Sequence, residues 1–279
     1  MVIKCWGSRG SIPVSGTDYI KYGGDTTCIE IRTKSDDIII IDAGTGIRRL
    51  GNRLMDEKQY KYNFIFTHAH WDHVMGLPFF KPLYSRKAKL ILYKCPFHSE
   101  FVETILSKLM APPYFPVRYS EIKAKMEYRE AFTTEFRIGS ATITPIQINH
   151  PGNGSGYKFT EDGKSFVFLT DNELGFEHPD GLLYKDYLEF SRGADLLIHD
   201  AEYTPEEYES TMNWGHSVFT HALDLALEAG VGQLGLFHLN QERSDREMDK
   251  IVETCRQRIA EKGNELECFA VACDMRFNL

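Results

Sequence analysis

Short apolar runs separated by turn-forming clusters set the rhythm of this chain. Residues 28–31 and Ile38–Ile41 flank a polar turn at 33–37 and read as two paired strands. Residues 63–66 form a short buried strand that stops at Thr67, and Lys89–Tyr93 form another. Residues 99–110 carry Phe101, Val102, Ile105, Leu106 and Leu109, a spacing that predicts a helix. Residues 136–148 read as one or two strands. Residues 157–159 and 166–169 enclose Glu161-Asp162-Gly163-Lys164 and predict a hairpin. Two short strands, 196–198 and 234–237, bracket an amphipathic helix over 217–229, with Ser217 as its expected N-cap and Gly230 just past its end. A second helix follows over 244–261, and a last strand over 267–272. Strands dominate both halves and helices arrive late in each, a pattern that suits two stacked sheets flanked by helices.

No stretch rich in Pro, Gly or Ser divides the chain, so residues 1–279 read as one α/β domain. One segment stands apart, Ala111-Pro112-Pro113-Tyr114-Phe115-Pro116-Val117-Arg118-Tyr119. Its prolines forbid helix and central strand, and its aromatics make it adhesive. It is a loop that either packs, within the chain or in a homodimer contact, or walls a substrate pocket. A formal net charge of −8 argues against broad binding to a nucleic-acid backbone, which favours a basic surface. The six cysteines form no CxxC pair, so neither a zinc ribbon nor a redox motif is indicated, and Cys268 and Cys273 read as free thiols. The N-terminus lacks the apolar core of a signal peptide, and no apolar stretch is long enough to span a bilayer. The expectation is a soluble cytoplasmic protein with reduced thiols and no membrane partner.

The chemistry concentrates in Thr67-His68-Ala69-His70-Trp71-Asp72-His73. The cluster follows a short apolar strand directly, which puts it on a loop at a strand end. A helix would splay positions 68 and 70 apart, whereas a tight loop brings them together. Imidazole nitrogens and a carboxylate, with no thiolate nearby, suit zinc, manganese or iron. Three more residues stand just after apolar runs, where a side chain leaves a sheet edge: His150, Asp171 and His238.

The HxHxDH pattern after an apolar strand resembles the signature of the metallo-β-lactamase superfamily. The resemblance implies an αββα sandwich of two mixed β-sheets flanked by helices, and two divalent ions, with zinc expected and manganese or iron as alternatives. It implies that His68, His70 and His150 hold one ion and that Asp72, His73 and His238 hold the other. Asp171 would bridge them together with a water or hydroxide, and Asp72 would also orient that nucleophile. Two divalent ions contribute about +4 and the two carboxylates with a hydroxide remove about 3, so the centre would favour an anionic substrate.

Within the superfamily, Asp171 excludes the classical β-lactamase pattern, which has a thiolate there, and His70 excludes the flavodiiron pattern, which has a carboxylate. His199-Asp200-Ala201-Glu202, Gly215-His216-Ser217 and Phe237-His238 resemble the HEAT-like, His-Ser-Thr-like and last-histidine segments of RNase Z and its phosphodiesterase relatives. That likeness implies that His216 meets the scissile phosphate and protonates the leaving oxygen, with Asp200 as its support. Asp200 stands where that group usually has glutamate, and Glu202 is close enough in sequence to share the role. RNase Z inserts a long tRNA-gripping arm between the positions of His150 and Asp171. Only 20 residues separate them here. The short interval resembles the armless cyclic phosphodiesterases, so the expected partner is a small anionic phosphodiester, with nucleic acid possible but not favoured. The alternatives are an RNA-processing nuclease, a lactone or thioester hydrolase, and a non-catalytic sensor that keeps the fold.

Other polar residues have more modest expectations. Asp42, in Ile41-Asp42-Ala43-Gly44, is expected beneath the metals, orienting a ligand histidine rather than binding an ion. Arg9 either meets a phosphate or forms a surface salt bridge. His98 and His178 are expected at the surface, His199 as a structural residue bonding near the metals, and His221 as a packed residue, with a place in the pocket as the alternative. Arg243 and Arg246 read as a solvated helix start, with anion binding as the sharper alternative.

Overall fold

The computed structural model describes residues 1–97, 102–130, 134–179 and 181–279. The chain order is β1 (Val2–Gly7), β2 (Cys28–Arg32), β3 (Ile38–Ile41), α1 (Ile47–Asp56), β4 (Lys61–Ile65), α2 (Trp71–Val74), β5 (Lys89–Tyr93), α3 (Val102–Leu109), β6 (Lys125–Arg129), β7 (Phe136–Ile138), β8 (Ala141–Gln147), β9 (Ser155–Glu161), β10 (Lys164–Leu169), α4 (Tyr184–Ser191), β11 (Leu196–Asp200), α5 (Pro205–Thr211), α6 (Phe219–Ala229), β12 (Gln233–Phe237), α7 (Asp245–Glu261), β13 (Glu267–Ala270) and β14 (Arg276–Asn278). Among the described residues these strands build two seven-stranded mixed sheets, ordered β14-β1-β2-β3-β4-β5-β6 and β13-β12-β11-β10-β9-β8-β7.

The isoleucine run of β3 shows why the sheets stack. Side chains alternate across a strand. Ile39 and Ile41 therefore point inward, joining Ile29, Ile65, Phe159, Phe166, Phe168 and Phe237 between the two sheets. Ile38 and Ile40 point outward, against Ile47, Leu50 and Leu54 of α1 and the aromatic rings of Phe64 and Phe80. The second sheet buries its outer face beneath α4, α6 and α7, where Leu197, Leu234 and Leu236 meet Leu223, Ala226, Ile251 and Cys255. The result is the expected αββα sandwich. The helix ends follow local rules. Gly230 closes α6 in the left-handed conformation, with φ 63°. Ser244 and Glu247 cap α7 reciprocally.

Both expected strand pairs form in antiparallel register, β2 with β3 and β9 with β10. Residues 136–148 divide into β7 and β8. The start of the helix expected over 99–110, together with His98, lies outside the described residues; within them α3 runs Val102–Leu109. The hydrophobic pattern did not mark β1, α1, α2, β6, α4, α5 or β14, and the second half of the loop expected over 67–73 winds into α2. Ser217 is not the N-cap of α6, which begins at Phe219 after Val218. Its hydroxyl is already used, donating to the Asn172 carbonyl at 2.6 Å and accepting from Leu174 N at 3.0 Å. In the 111–119 loop, Phe115 packs edge-on against Phe79 at 5.5 Å, which ties the loop to the chain leaving the histidine cluster, while Tyr114 stays 84% exposed. None of the six cysteines is joined in a disulfide among the described residues. No helix among the described residues is long and apolar enough to cross a membrane.

Candidate metal centre

Strand direction gathers the polar residues. β3 and β4 run parallel in one sheet, and β10, β11 and β12 run parallel in the other, with β8 aligned to them through the antiparallel β9. The C-terminal ends of these strands therefore meet at one edge of the sandwich, where open α/β sheets present their ligand sites. Asp42 follows β3, the 67–73 loop follows β4, His150 follows β8, Asp171 follows β10, Asp200 ends β11, and His238 follows β12. Asp42, Asp171 and His238 all adopt left-handed backbone, with φ of 60°, 52° and 56°. That turn swings each side chain off its strand and into the cleft. Such conformations persist where the surrounding structure enforces them.

Among the described residues three groups of side chains could hold a metal ion; Asp200, His216 and His238 form one, and the other two share Asp171. Of these two, one is His68, His70, His150 and Asp171; the other is Asp72, His73, Asp171 and His238. The donor atoms of each group lie within 4.8 Å of one another, and Asp171 belongs to both. Its Oδ1 is 3.5 Å from His68 Nε2 and 3.3 Å from His238 Nε2, while its Oδ2 is 3.2 Å from His73 Nε2. Asp72 Oδ2 lies 3.3 Å from His73 Nε2 and 3.1 Å from His238 Nε2. The donor chemistry fits divalent cations. His68 Nε2, His73 Nε2 and His150 Nε2 are buried with no hydrogen-bond partner among the described residues. Leaving a buried polar atom unpaired costs roughly 1–3 kcal/mol, a penalty that coordination removes. Every member of the two groups is buried except His70, which is exposed while its ring lies against those of His68 and His150 at 4.5 and 4.8 Å.

The outer nitrogens of the second group are held by carboxylates. His73 Nδ1 donates to Asp42 Oδ2 at 2.8 Å, and His238 Nδ1 donates to Glu202 Oε2 at 2.9 Å. Asp42 also accepts from Thr67 N and Thr67 Oγ1, so it fixes the start of the histidine loop. Asp42 thus occupies the orienting position expected from the sequence. The first group has weaker support among the described residues: His68 Nδ1 meets the Thr67 hydroxyl at 3.1 Å, and His150 Nδ1 has no hydrogen-bond partner there.

Burial and charge act in opposite directions here. Burial alone lowers a histidine pKa, and it holds His68 and His70 below their ordinary value and His150 down at about 3. Burial also disfavours the charged form of His73 and His238, but Asp171 and the neighbouring carboxylates outweigh it and raise both. Asp72 and Asp171 move the other way. Burial opposes their charge, and the His73 and His238 imidazoles hold both carboxyls well below the usual range.

A sixth histidine, His216, lies against this centre. His216 Nδ1 donates to Asp200 Oδ2 at 2.7 Å, with Glu202 Oε2 at 3.4 Å, and its ring stacks on His238 at 4.5 Å. Despite burial, Glu202 and Asp200 raise its pKa to about 9. Asp200 is fully buried and also accepts from Ser217 N and Asp171 N, so one carboxylate links the His216 loop to the shared aspartate. Glu202, which the sequence offered as a partner for His216, mainly orients His238.

Several expectations change. Arg9 neither meets an open site nor makes a surface ion pair. It is 1% exposed, and its guanidinium donates to the carbonyls of Gly23, Asn240 and Arg243, joining the N-terminal loop to the loop after His238. His178 is buried, not on the surface, because its Nε2 pairs with Glu173 at 2.9 Å. Arg243 is occupied by Glu207 and the Glu202 carbonyl, while Arg246 is exposed. His199 is buried and bonds to the Asp200 carbonyl and Asn172. His221 lies edge-on to Tyr208 at 5.8 Å, consistent with a packed residue. Sequence reading missed Glu173, Asn149 and Asn172, because no local pattern marks an isolated polar residue that folding buries.

Comparison with known proteins agrees with this architecture. The chain is 24% identical to the ribonuclease Z of Haloarcula marismortui over 92% of its own length and 91% of the relative's. Its fold is similar to that of the metallo-β-lactamase fold protein YhfI from Bacillus subtilis, with a TM-score of 0.71 at 19% identity, covering 99% of this chain and 98% of that one. It is also similar to a diphosphatase from the PhnP family, with a TM-score of 0.68 at 18% identity, covering 100% of this chain and 97% of that one. Residues 38–239, which carry every member of both metal-fitting groups, match the family described as the beta-lactamase superfamily domain, and the chain belongs to that superfamily.

Proposed function

We propose that this protein is a dinuclear metal-dependent phosphodiesterase acting on a small or cyclic phosphodiester, with His216 as general acid. The observation that carries the reading is the His216–Asp200 pair set against the metal-fitting groups. His68, His70 and His150 would hold one ion, Asp72, His73 and His238 the other, and Asp171 both; zinc suits the nitrogen-rich donor set, and manganese or iron fits it too. When bound, two divalent ions would activate water near neutral pH and neutralise the charge that develops on phosphorus.

The chain's own residues supply the rest. Asp200 holds Nδ1 and leaves Nε2 as the proton donor. The two carboxylates beside His216 keep its ring protonated at neutral pH, the state a general acid needs. Asp72 Oδ2 accepts from Ser11 N at 2.9 Å, so its orientation is fixed from the outer side. Exposed Trp71 and Trp214 adjoin His70 and Gly215 in sequence and offer flat apolar faces for the organic part of a diester.

A nuclease acting on RNA is the second reading, favoured by the likeness to ribonuclease Z over most of the chain. The interval between His150 and Asp171 weighs against it, since β9 and β10 fill it with a tight hairpin.

The test is hydrolysis of 2′,3′-cyclic AMP and of an unprocessed tRNA by zinc- or manganese-loaded protein, wild type beside His216→Ala. Metal-dependent turnover of the cyclic nucleotide that falls roughly 10²-fold or more in the variant is expected. Turnover of the tRNA alone would select the nuclease. Turnover of neither, with cleavage of a lactone or thioester, would refute both.

A further inference from the structure

The loop that carries His216 is anchored by a carboxylate outside both metal-fitting groups. Glu173 is fully buried. Each of its oxygens accepts two hydrogen bonds. Oε1 takes the Tyr208 hydroxyl at 2.5 Å and Asn213 N at 2.8 Å; Oε2 takes Gly215 N at 2.8 Å and His178 Nε2 at 2.9 Å. A buried carboxylate is costly unless its lone pairs are filled, and here about four lone-pair sites meet four donors.

The backbone it grips is unusual. Asn213 and Gly215 both have positive φ, 70° and 94°. In that conformation the two N–H groups converge on one anion, a small backbone nest. Gly215 must be glycine, because a Cβ there would enter the His150 ring. The loop therefore runs tight against a proposed metal ligand just before it delivers His216.

The far side of His216 is tied to the same segment. The Ser217 hydroxyl donates to the Asn172 carbonyl and accepts from Leu174 N, the two neighbours of Glu173. Glu173 N in turn donates to the carbonyl of Asn149, which precedes His150. Residues 171–174 thus hold the shared aspartate, the approach to His150, and both flanks of His216.

We propose that Glu173 is a positioning residue for the general acid: it holds residues 213–215 in the conformation that aims His216 at the leaving-group oxygen. Asp200 fixes the ring and Glu173 fixes the backbone beneath it. The inference rests on the phosphodiesterase reading of the site. Glutamine is nearly isosteric but cannot replace the carboxylate, since its amide nitrogen would face two donors.

The test compares two diesters on metal-loaded full-length protein. Departure of a ribose hydroxyl from 2′,3′-cyclic AMP needs a proton, whereas departure of p-nitrophenolate from bis-p-nitrophenyl phosphate needs little help. A loop displaced by about 1 Å can cost on the order of 10²-fold in rate. Glu173→Gln is expected to lower kcat on the cyclic nucleotide by roughly tenfold to a hundredfold, to reduce the p-nitrophenyl reaction several times less, and to retain two metal equivalents. His216→Ala should show the same split. Equal losses on both substrates, loss of metal, or no loss in Glu173→Gln while His216→Ala shows the split would overturn this inference and leave the phosphodiesterase reading intact. A wild type inactive on both diesters would overturn that reading and this inference with it. If Glu173→Gln fails to fold, Tyr208→Phe removes one donor from Oε1 and keeps the ring. A smaller split of the same kind is expected, and its absence overturns the inference.

Discussion

Replacing Asp42 by asparagine should loosen one of the two proposed ions much more than the other. Asp42 is fully buried and has φ 60°, a conformation asparagine tolerates, so the backbone should survive the change. The carboxylate makes three short contacts: His73 Nδ1 at 2.8 Å, Thr67 N at 2.8 Å and Thr67 Oγ1 at 2.7 Å. An amide cannot satisfy all of them. If its oxygen stays on Thr67 N, its NH2 group faces His73 Nδ1, which must then accept a hydrogen bond. That forces the proton onto Nε2, the nitrogen that would bind the metal. If the amide flips, Thr67 N loses its acceptor and the histidine loop is released. Either way a charge-assisted hydrogen bond worth roughly 1.5–3 kcal/mol is lost, which corresponds to about 10- to 100-fold in affinity. Mutation of such outer partners typically costs a similar amount, roughly 10–100-fold. His73 serves one proposed ion only, beside Asp72 and His238. The other ion is reached from Asp42 less directly, through the Thr67 hydroxyl and His68 Nδ1 or through His73 and the shared Asp171. Competition with a chromogenic zinc chelator resolves two binding constants in wild type and variant. The weaker constant in Asp42→Asn should belong to the ion that Glu202→Gln also weakens, because Glu202 holds His238. Equal loosening of both ions, or no change in a folded variant, would refute the reasoning.

Other outcomes follow from the same geometry. Asp200→Asn should lower kcat on a cyclic phosphodiester by roughly 10²-fold or more while metal content holds, because the His216 ring loses its 2.7 Å partner and its tautomer; steady-state kinetics with metal analysis tests this. Metal binding should release protons. His73 and His238 have raised pKa values in the metal-free protein, so each gives up a proton when a metal takes its place. Apparent affinity then weakens as pH falls through neutrality, and calorimetry in buffers of different ionisation enthalpy reads the proton count. Gly215→Ala should lower both metal occupancy and melting temperature, because its positive φ and the nearby His150 ring each oppose a Cβ. Phe168→Ala should cost roughly 3–5 kcal/mol in denaturant unfolding, since that ring packs between the sheets against Phe166 and Phe237.

Much of this was legible before folding. The 67–73 cluster carries its chemistry in a few adjacent residues, and short apolar runs locate the strands that end in His150, Asp171 and His238. Local periodicity also marks both hairpins, α6 and α7. It fails for α5 and β14, which are too short to show a pattern, and for β1, whose residues are explained by pairing with β2 and β14 at the far end of the chain. It misplaces Arg9 and His178, because charge in sequence suggests solvent, while folding surrounds Arg9 with backbone carbonyls and His178 with Glu173.

The sequence by itself determined the candidate ligand types, their strand-end spacing and the layered fold, since these depend on residue identity and on periods of two or 3.6. Only the tertiary structure decided how the candidate ligands divide. It brought Asp171 within reach of both histidine groups, placed Asp42 on His73 and Glu202 on His238, and set Asp200 under His216. It also revealed Glu173, whose four donors come from residues 178, 208, 213 and 215. These pairings join separate strand ends and loops across two sheets. A hydrogen bond depends on where two atoms finish in space, and no local pattern encodes that.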